Sequence, residues 1–78
     1  MMNEKVKSIM ADVFRTDIEN ITEDLKQKDV SFWDSLRHLN LVVELEEKFG
    51  ISFEPEEIAE MITFEKVIYY INQKLVQK

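Results

Sequence analysis

Residues 33–50 read WDSLRHLNLVVELEEKFG, and how they are read decides the fold. From Leu36 on, apolar residues fall at Leu36, Leu39, Val42, Val43, Leu45 and Phe49. Leu39, Val42, Val43 and Phe49 keep the three-and-four spacing of a helix with one buried face. Gly50 supplies the left-handed stop expected just past a helix end. Asp34 is a strong N-cap residue, because its carboxylate can accept from an amide of the first turn. Ser35 then stands at the start of the helix, where unpaired N–H groups and the positive end of the dipole favour a phosphate. A second start is open: Ser31-Phe32-Trp33-Asp34 fits a capping box, which begins the helix upstream and leaves Ser35 within the first turn.

Upstream, Val6, Ile9, Met10, Val13 and Phe14 form the cleanest amphipathic pattern in the chain. Asn3 can cap that helix, Glu4 suits its first turn, and its end is expected near Arg15 or Thr16. Residues 17–30 read as a long connection, part of it a short helix or a packed loop since Ile18, Ile21 and Leu25 recur at three and four, pinned by those residues and at its end by Phe32 and Trp33. Thr22, with Asp24 and Leu25 after it, can start a turn there. A calcium-loop reading of 17–28 fails, since Thr22 stands where Gly is needed and Lys28 where Glu is needed. Downstream, residues 51–54 read as extended. Pro55 opens a short helix whose dipole Glu56 and Glu57 complement, with Ile58 and Met61 or Ile62 packed inward. Thr63 caps a last helix with Phe64, Val67, Ile68, Ile71 and Leu75 on one face and Lys74 and Lys78 at its C-terminal end. The expected fold is an all-α four-helix bundle, three main helices and a short one before the last, with a long first loop.

Composition narrows the function. Seventy-eight residues make one domain, 1–78, with a modest core and little room for both a catalytic cleft and a substrate pocket. Neither a nucleophile–base pair, a carboxylate dyad nor a metal cluster is visible, so an independent enzyme is not expected. Sixteen acidic residues against ten basic give a net charge of −6, which repels nucleic acid and anionic lipid and favours basic protein partners. Cysteine is absent, so any thioester chemistry needs a sulfur brought in by a cofactor. Residues 1–14 lack the apolar run of a signal peptide, and no stretch is long enough to span a bilayer; the expected place is the cytoplasm.

Asp34-Ser35-Leu36, an acidic helix ending Glu46-Glu47-Lys48-Phe49-Gly50-Ile51, a short Pro-Glu-Glu helix and a last amphipathic helix together resemble the acyl carrier protein family over residues 6–75. The resemblance implies a monomeric carrier domain without catalysis of its own. Ser35 then receives 4′-phosphopantetheine from coenzyme A through a phosphopantetheinyl transferase. The thiol of that arm carries an acyl, aminoacyl or peptidyl group as a thioester. Asp34 takes a part in binding Mg²⁺ during the transfer, and Leu36 completes the motif. An acyl- or aminoacyl-loading ligase and downstream enzymes with basic patches read the acidic second helix. Two departures from the family pattern leave the pathway open between fatty-acid, polyketide and nonribosomal-type synthesis. Trp33, preceded by Phe32, stands where many members have Gly, and Arg37 and His38 replace acidic or small polar residues.

Each candidate has a plainer reading. Serine is common at helix starts, so Ser35 by itself need be no more than that. Leu36 is either core or a contact for partners. Glu44 and Glu47 are either a solvated face or, with Arg37, the partner-binding surface. His38 is expected at the surface beside the arm. Met61 and Ile62 are either core or the lining of an acyl slot between the short helix and the central one. The competing function is an unmodified acidic helical adaptor that binds basic partners.

Overall fold

The computed structural model describes residues 2–77. Its elements are α1 (Met2–Phe14), a 3₁₀ turn (Ile18–Asn20), a second (Gln27–Asp29), α2 (Ser35–Phe49), α3 (Pro55–Glu60) and α4 (Phe64–Gln77). Three main helices, one short helix before the last and a long first connection are as the sequence predicts. The one β feature among the described residues is an isolated antiparallel bridge, Lys26 to Thr63.

Local chemistry sets most boundaries. α1 stops where Arg15 turns left-handed at φ 57°. There the Thr16 amide donates to Ala11 O and the Arg15 amide to Asp12 O, the paired closure that satisfies terminal carbonyls. α2 stops at Gly50, φ 64°, with Ile51 N donating to Glu46 O at 3.1 Å. Pro55 is the first residue of α3, and Thr63 Oγ1 accepts from Lys66 N at 3.0 Å to cap α4. Asn3 is not a cap: α1 already runs from Met2, which puts Asn3 inside it. Lys78 lies outside the described residues.

One contiguous core joins the elements. α1 contributes Val6, Ile9, Met10, Ala11 and Phe14, and α4 contributes Phe64, Val67 and Ile71. α2 contributes Leu41, Val42 and Leu45. Here the expected face is corrected: Leu39 and Val43 are more than half exposed, while Leu41, outside the expected set, is fully buried. The helix is turned so that its second apolar stripe meets α1.

The long connection is pinned, with Ile21, Leu25 and Trp33 in the core and Ile18 outside it. It is also zipped to the link between α3 and α4: Gln27 N donates to Ile62 O, and Phe64 N to Leu25 O, both at 2.9 Å. α3 is tied to α4 by Lys74 Nζ to Glu57 Oε1 at 2.9 Å and by the Tyr70 hydroxyl donating to Glu60 at 2.8 Å. Glu60 beside it pushes the Tyr70 phenol up from its ordinary value.

Candidate functional site

The start of α2 is built by Asp34. With φ −90° and ψ −179° it is extended, and its side chain turns back to accept from Arg37 N at 2.8 Å. Its backbone carbonyl accepts the first helical bond, from His38 N at 2.9 Å. The upstream start at Ser31 is thereby excluded: Ser35 is the first helical residue. Ser35 is exposed, and so is the Leu36 side chain beside it, at 70%. The second Asp34 oxygen accepts from Arg37 Nη1 at 2.8 Å. Arg37 thus folds back over the cap and neutralises it.

The inner side of this helix start is different. His38, expected at the surface, is buried at 8% exposure. Trp33 Nε1 donates to its Nδ1 at 3.0 Å, and its Nε2 lies 2.8 Å from the carbonyl oxygen of Ile58 in α3. The reason is the turn of α2. His38 shares a face with Leu41, Val42 and Leu45, and both ring nitrogens find partners there, which removes the cost of burying them. The signal in the sequence was that spacing, together with a tryptophan five residues upstream.

The structure gathers Asp34, Ser35, Leu36 and Arg37 at one end of α2. Glu44 and Glu47 lie two to three turns farther along, roughly 14 to 18 Å at the helical rise per residue. Glu47 is exposed and Glu44 half-buried. Leu36, Leu39 and Val43 form an exposed apolar stripe beside them. Periodicity places Leu39 and Val43 in the core and leaves Leu36 open between core and partner contact. Glu46, in the same acidic run, has a structural task, accepting from Phe53 N at 2.9 Å. Met61 and Ile62 part company: Met61 is fully buried in the core and Ile62 is 46% exposed. An open surface groove of about 440 Å³ runs past Asp12, Val13, Arg15, Asn40, Val43 and Glu44, away from Ser35.

These residues fit a phosphodiester-linked arm. The Ser35 hydroxyl is accessible at the positive end of a fifteen-residue helix, whose first-turn amides have no helical carbonyl to bond. Arg37 offsets the Asp34 charge that would otherwise repel a phosphate. Among the described residues no group of three or more His, Asp or Glu side chains is placed to hold a metal ion. No helix among them is long and apolar enough to cross a membrane.

A family model described as a phosphopantetheine attachment site matches residues 4–71. An acyl carrier protein of Thermosynechococcus vestitus is 35% identical over 72 residues, covering 92% of this chain and 89% of its own. An acyl carrier protein of Petrotoga mobilis is 33% identical over 72 residues, covering 92% and 85%. The solution NMR structure of a holo acyl carrier protein from Geobacter metallireducens matches with a TM-score of 0.85 at 28% identity, over 96% of this chain and 86% of that one.

Proposed function

The chain belongs to the acyl carrier protein family, and we propose that Ser35 is the residue through which it carries 4′-phosphopantetheine. The observation that carries this reading is the placing of one exposed hydroxyl as the first residue of α2, directly behind the Asp34 cap. When bound, the group supplies the thiol that a chain without cysteine lacks and holds acyl, aminoacyl or peptidyl cargo as a thioester.

The chain's own residues attach and present. Ser35 Oγ would hold the group through a phosphodiester, formed as the pyrophosphate bond of coenzyme A breaks, adenosine 3′,5′-bisphosphate departs and the hydroxyl proton is lost. The adjacent first-turn amides favour the negative charge of that phosphate. Asp34 holds the helix start and has a role in binding Mg²⁺ during the transfer, each of its oxygens keeping a lone pair beyond the one hydrogen bond it accepts. Leu36, with Leu39 and Val43 behind it, offers an apolar strip, and Arg37, Glu44 and Glu47 give it a charged border. Basic patches on partner enzymes meet this face. Such contacts act mostly on the rate of association and weaken with salt.

We read residues 1–78 as a single monomeric carrier domain of the cytoplasm, without turnover of its own. Its partners are a phosphopantetheinyl transferase, a loading ligase and downstream enzymes of fatty-acid, polyketide or nonribosomal-type synthesis. Of the two residues read as lining an acyl slot between α2 and α3, only Ile62 is exposed. Met61 is core, and a chain entering there has to displace it.

The test is intact mass. Incubation with coenzyme A and a broad-specificity phosphopantetheinyl transferase adds one phosphopantetheinyl group to the wild-type chain and none to Ser35→Ala. An unchanged mass, with partner binding indifferent to Ser35→Ala, identifies the acidic adaptor instead.

A further inference from the structure

We propose that His38 is a positioning residue for the attachment site, fixing through its bond to Trp33 the angle at which the Ser35 end of α2 is presented. This rests on the reading of Ser35 as the attachment point. The ring's tautomer follows from its partners. An indole N–H only donates and a backbone carbonyl only accepts. Nδ1 therefore accepts from Trp33, at 3.0 Å. The ring's one N–H proton sits on Nε2 and is donated to Ile58 O, at 2.8 Å. Each nitrogen has one role: the other tautomer would set the indole N–H against an Nδ1–H and a bare Nε2 against the Ile58 carbonyl.

The placing of this bridge gives it a bearing on the site. Trp33 and His38 flank Asp34 and Ser35, so their bond closes a short loop around the helix start. Trp33 is 1% exposed and packs on Phe14 at the end of α1, with ring centroids 5.2 Å apart. One run of contacts thus passes from Phe14 through Trp33 and His38 to Ile58, joining α1, the entry to α2 and α3. Ser35 sits on its outer side. The Asp34–Arg37 pair holds the same turn from the solvent side.

A histidine buried only for stability is the plainer reading, and the two differ in what an enzyme sees. If the bridge orients Ser35, losing it leaves the competent geometry in only a fraction of folded molecules. The apparent affinity of a partner falls by that fraction, while turnover of the seated complex is unchanged. If the bridge only stabilises, the folded variant is as good a substrate as before.

The chain has one His and one Trp, so NMR gives one imidazole and one indole N–H signal, both unambiguous. The wild-type chain is expected to show the Nε2–H tautomer. Trp33→Phe keeps an aromatic ring against Phe14 and removes the donor, together with the volume of the indole's second ring. His38→Asn keeps an acceptor near the place of Nδ1 but cannot reach Ile58. With coenzyme A and the broad-specificity transferase, well below the unfolding temperature, Trp33→Phe raises KM for the carrier about 3- to 10-fold, the effect of one net hydrogen bond, with kcat unchanged. His38→Asn stays within about twofold of wild type, since it keeps the acceptor that Trp33 needs. The proposal is overturned by an Nδ1–H tautomer, by a wild-type KM in folded Trp33→Phe, by a fall in its kcat alone, or by a rise in His38→Asn equal to that in Trp33→Phe. A wild-type chain that gains no mass removes the Ser35 reading and this role with it. Normal modification of every variant removes this role alone.

Discussion

Asp34 has two separable tasks at the residue scale, and they can be told apart by substitution. Its Oδ1 caps the helix through Arg37 N, and its Oδ2 pairs with the Arg37 guanidinium. Asp34→Ala removes both and is expected to cost about 0.5–2 kcal/mol, the usual penalty for losing an N-cap side chain. Asp34→Asn keeps the cap and loses only a half-exposed ion pair, which contributes at most about 1 kcal/mol. Urea unfolding of the two variants should place Asn close to wild type and Ala clearly below it. The Asp and the Ser were legible in sequence because capping is chemistry between near neighbours. The fold-back of Arg37 onto Asp34 was not read, although the two stand three apart on one helix.

The central helix carries two apolar stripes at the scale of the element, and only one is covered. Leu41 and Leu45 are fully buried, whereas Leu36, Leu39 and Val43 face outward. Leu41→Ala is expected to cost about 2–5 kcal/mol, as a buried leucine truncation does. Leu39→Ala should stay within about 0.5 kcal/mol of wild type, as surface substitutions do. Thermal unfolding of both variants checks the turn of the helix. Equal losses would mean that Leu39 is core. Both stripes have helical spacing, so periodicity announced a helix without saying which side met α1. The same ambiguity put His38 at the surface, when it shares the covered face.

At the scale of the whole molecule, the weak member is α3. Six residues cannot hold a helix alone in water. It persists because α2 reaches it through His38, α4 reaches it through Lys74 and Tyr70, and Met61 at its end is sunk in the core. Glu57 carries one of these ties and braces the start of α3 as well, pairing with Lys74 and accepting from Glu54 N at 2.7 Å. The Glu54 amide first, and then Lys74, hold its carboxyl below the ordinary glutamate value. A carboxyl lowered by folding stabilises the native state above its unfolded value, and that gain fades as pH falls through the folded one. Glu57→Gln should therefore flatten the acid side of the stability–pH curve and lie closest to wild type at low pH. Urea midpoints measured across the acid range test this, and an unchanged slope would remove Glu57 from the α3–α4 link.

By itself the sequence determined the four helices, the Asp34 and Thr63 caps, the stop at Gly50 and the serine at the head of the second helix. Each of these follows from residues within a turn or two of one another. The tertiary structure alone decided which stripe of α2 is covered, that His38 bridges Trp33 to Ile58, that Glu46 accepts from the Phe53 amide and that Glu57 pairs with Lys74. Those outcomes depend on which surface a neighbouring element brings up. A contact with a residue far off in the chain leaves no spacing in the sequence by which to read it.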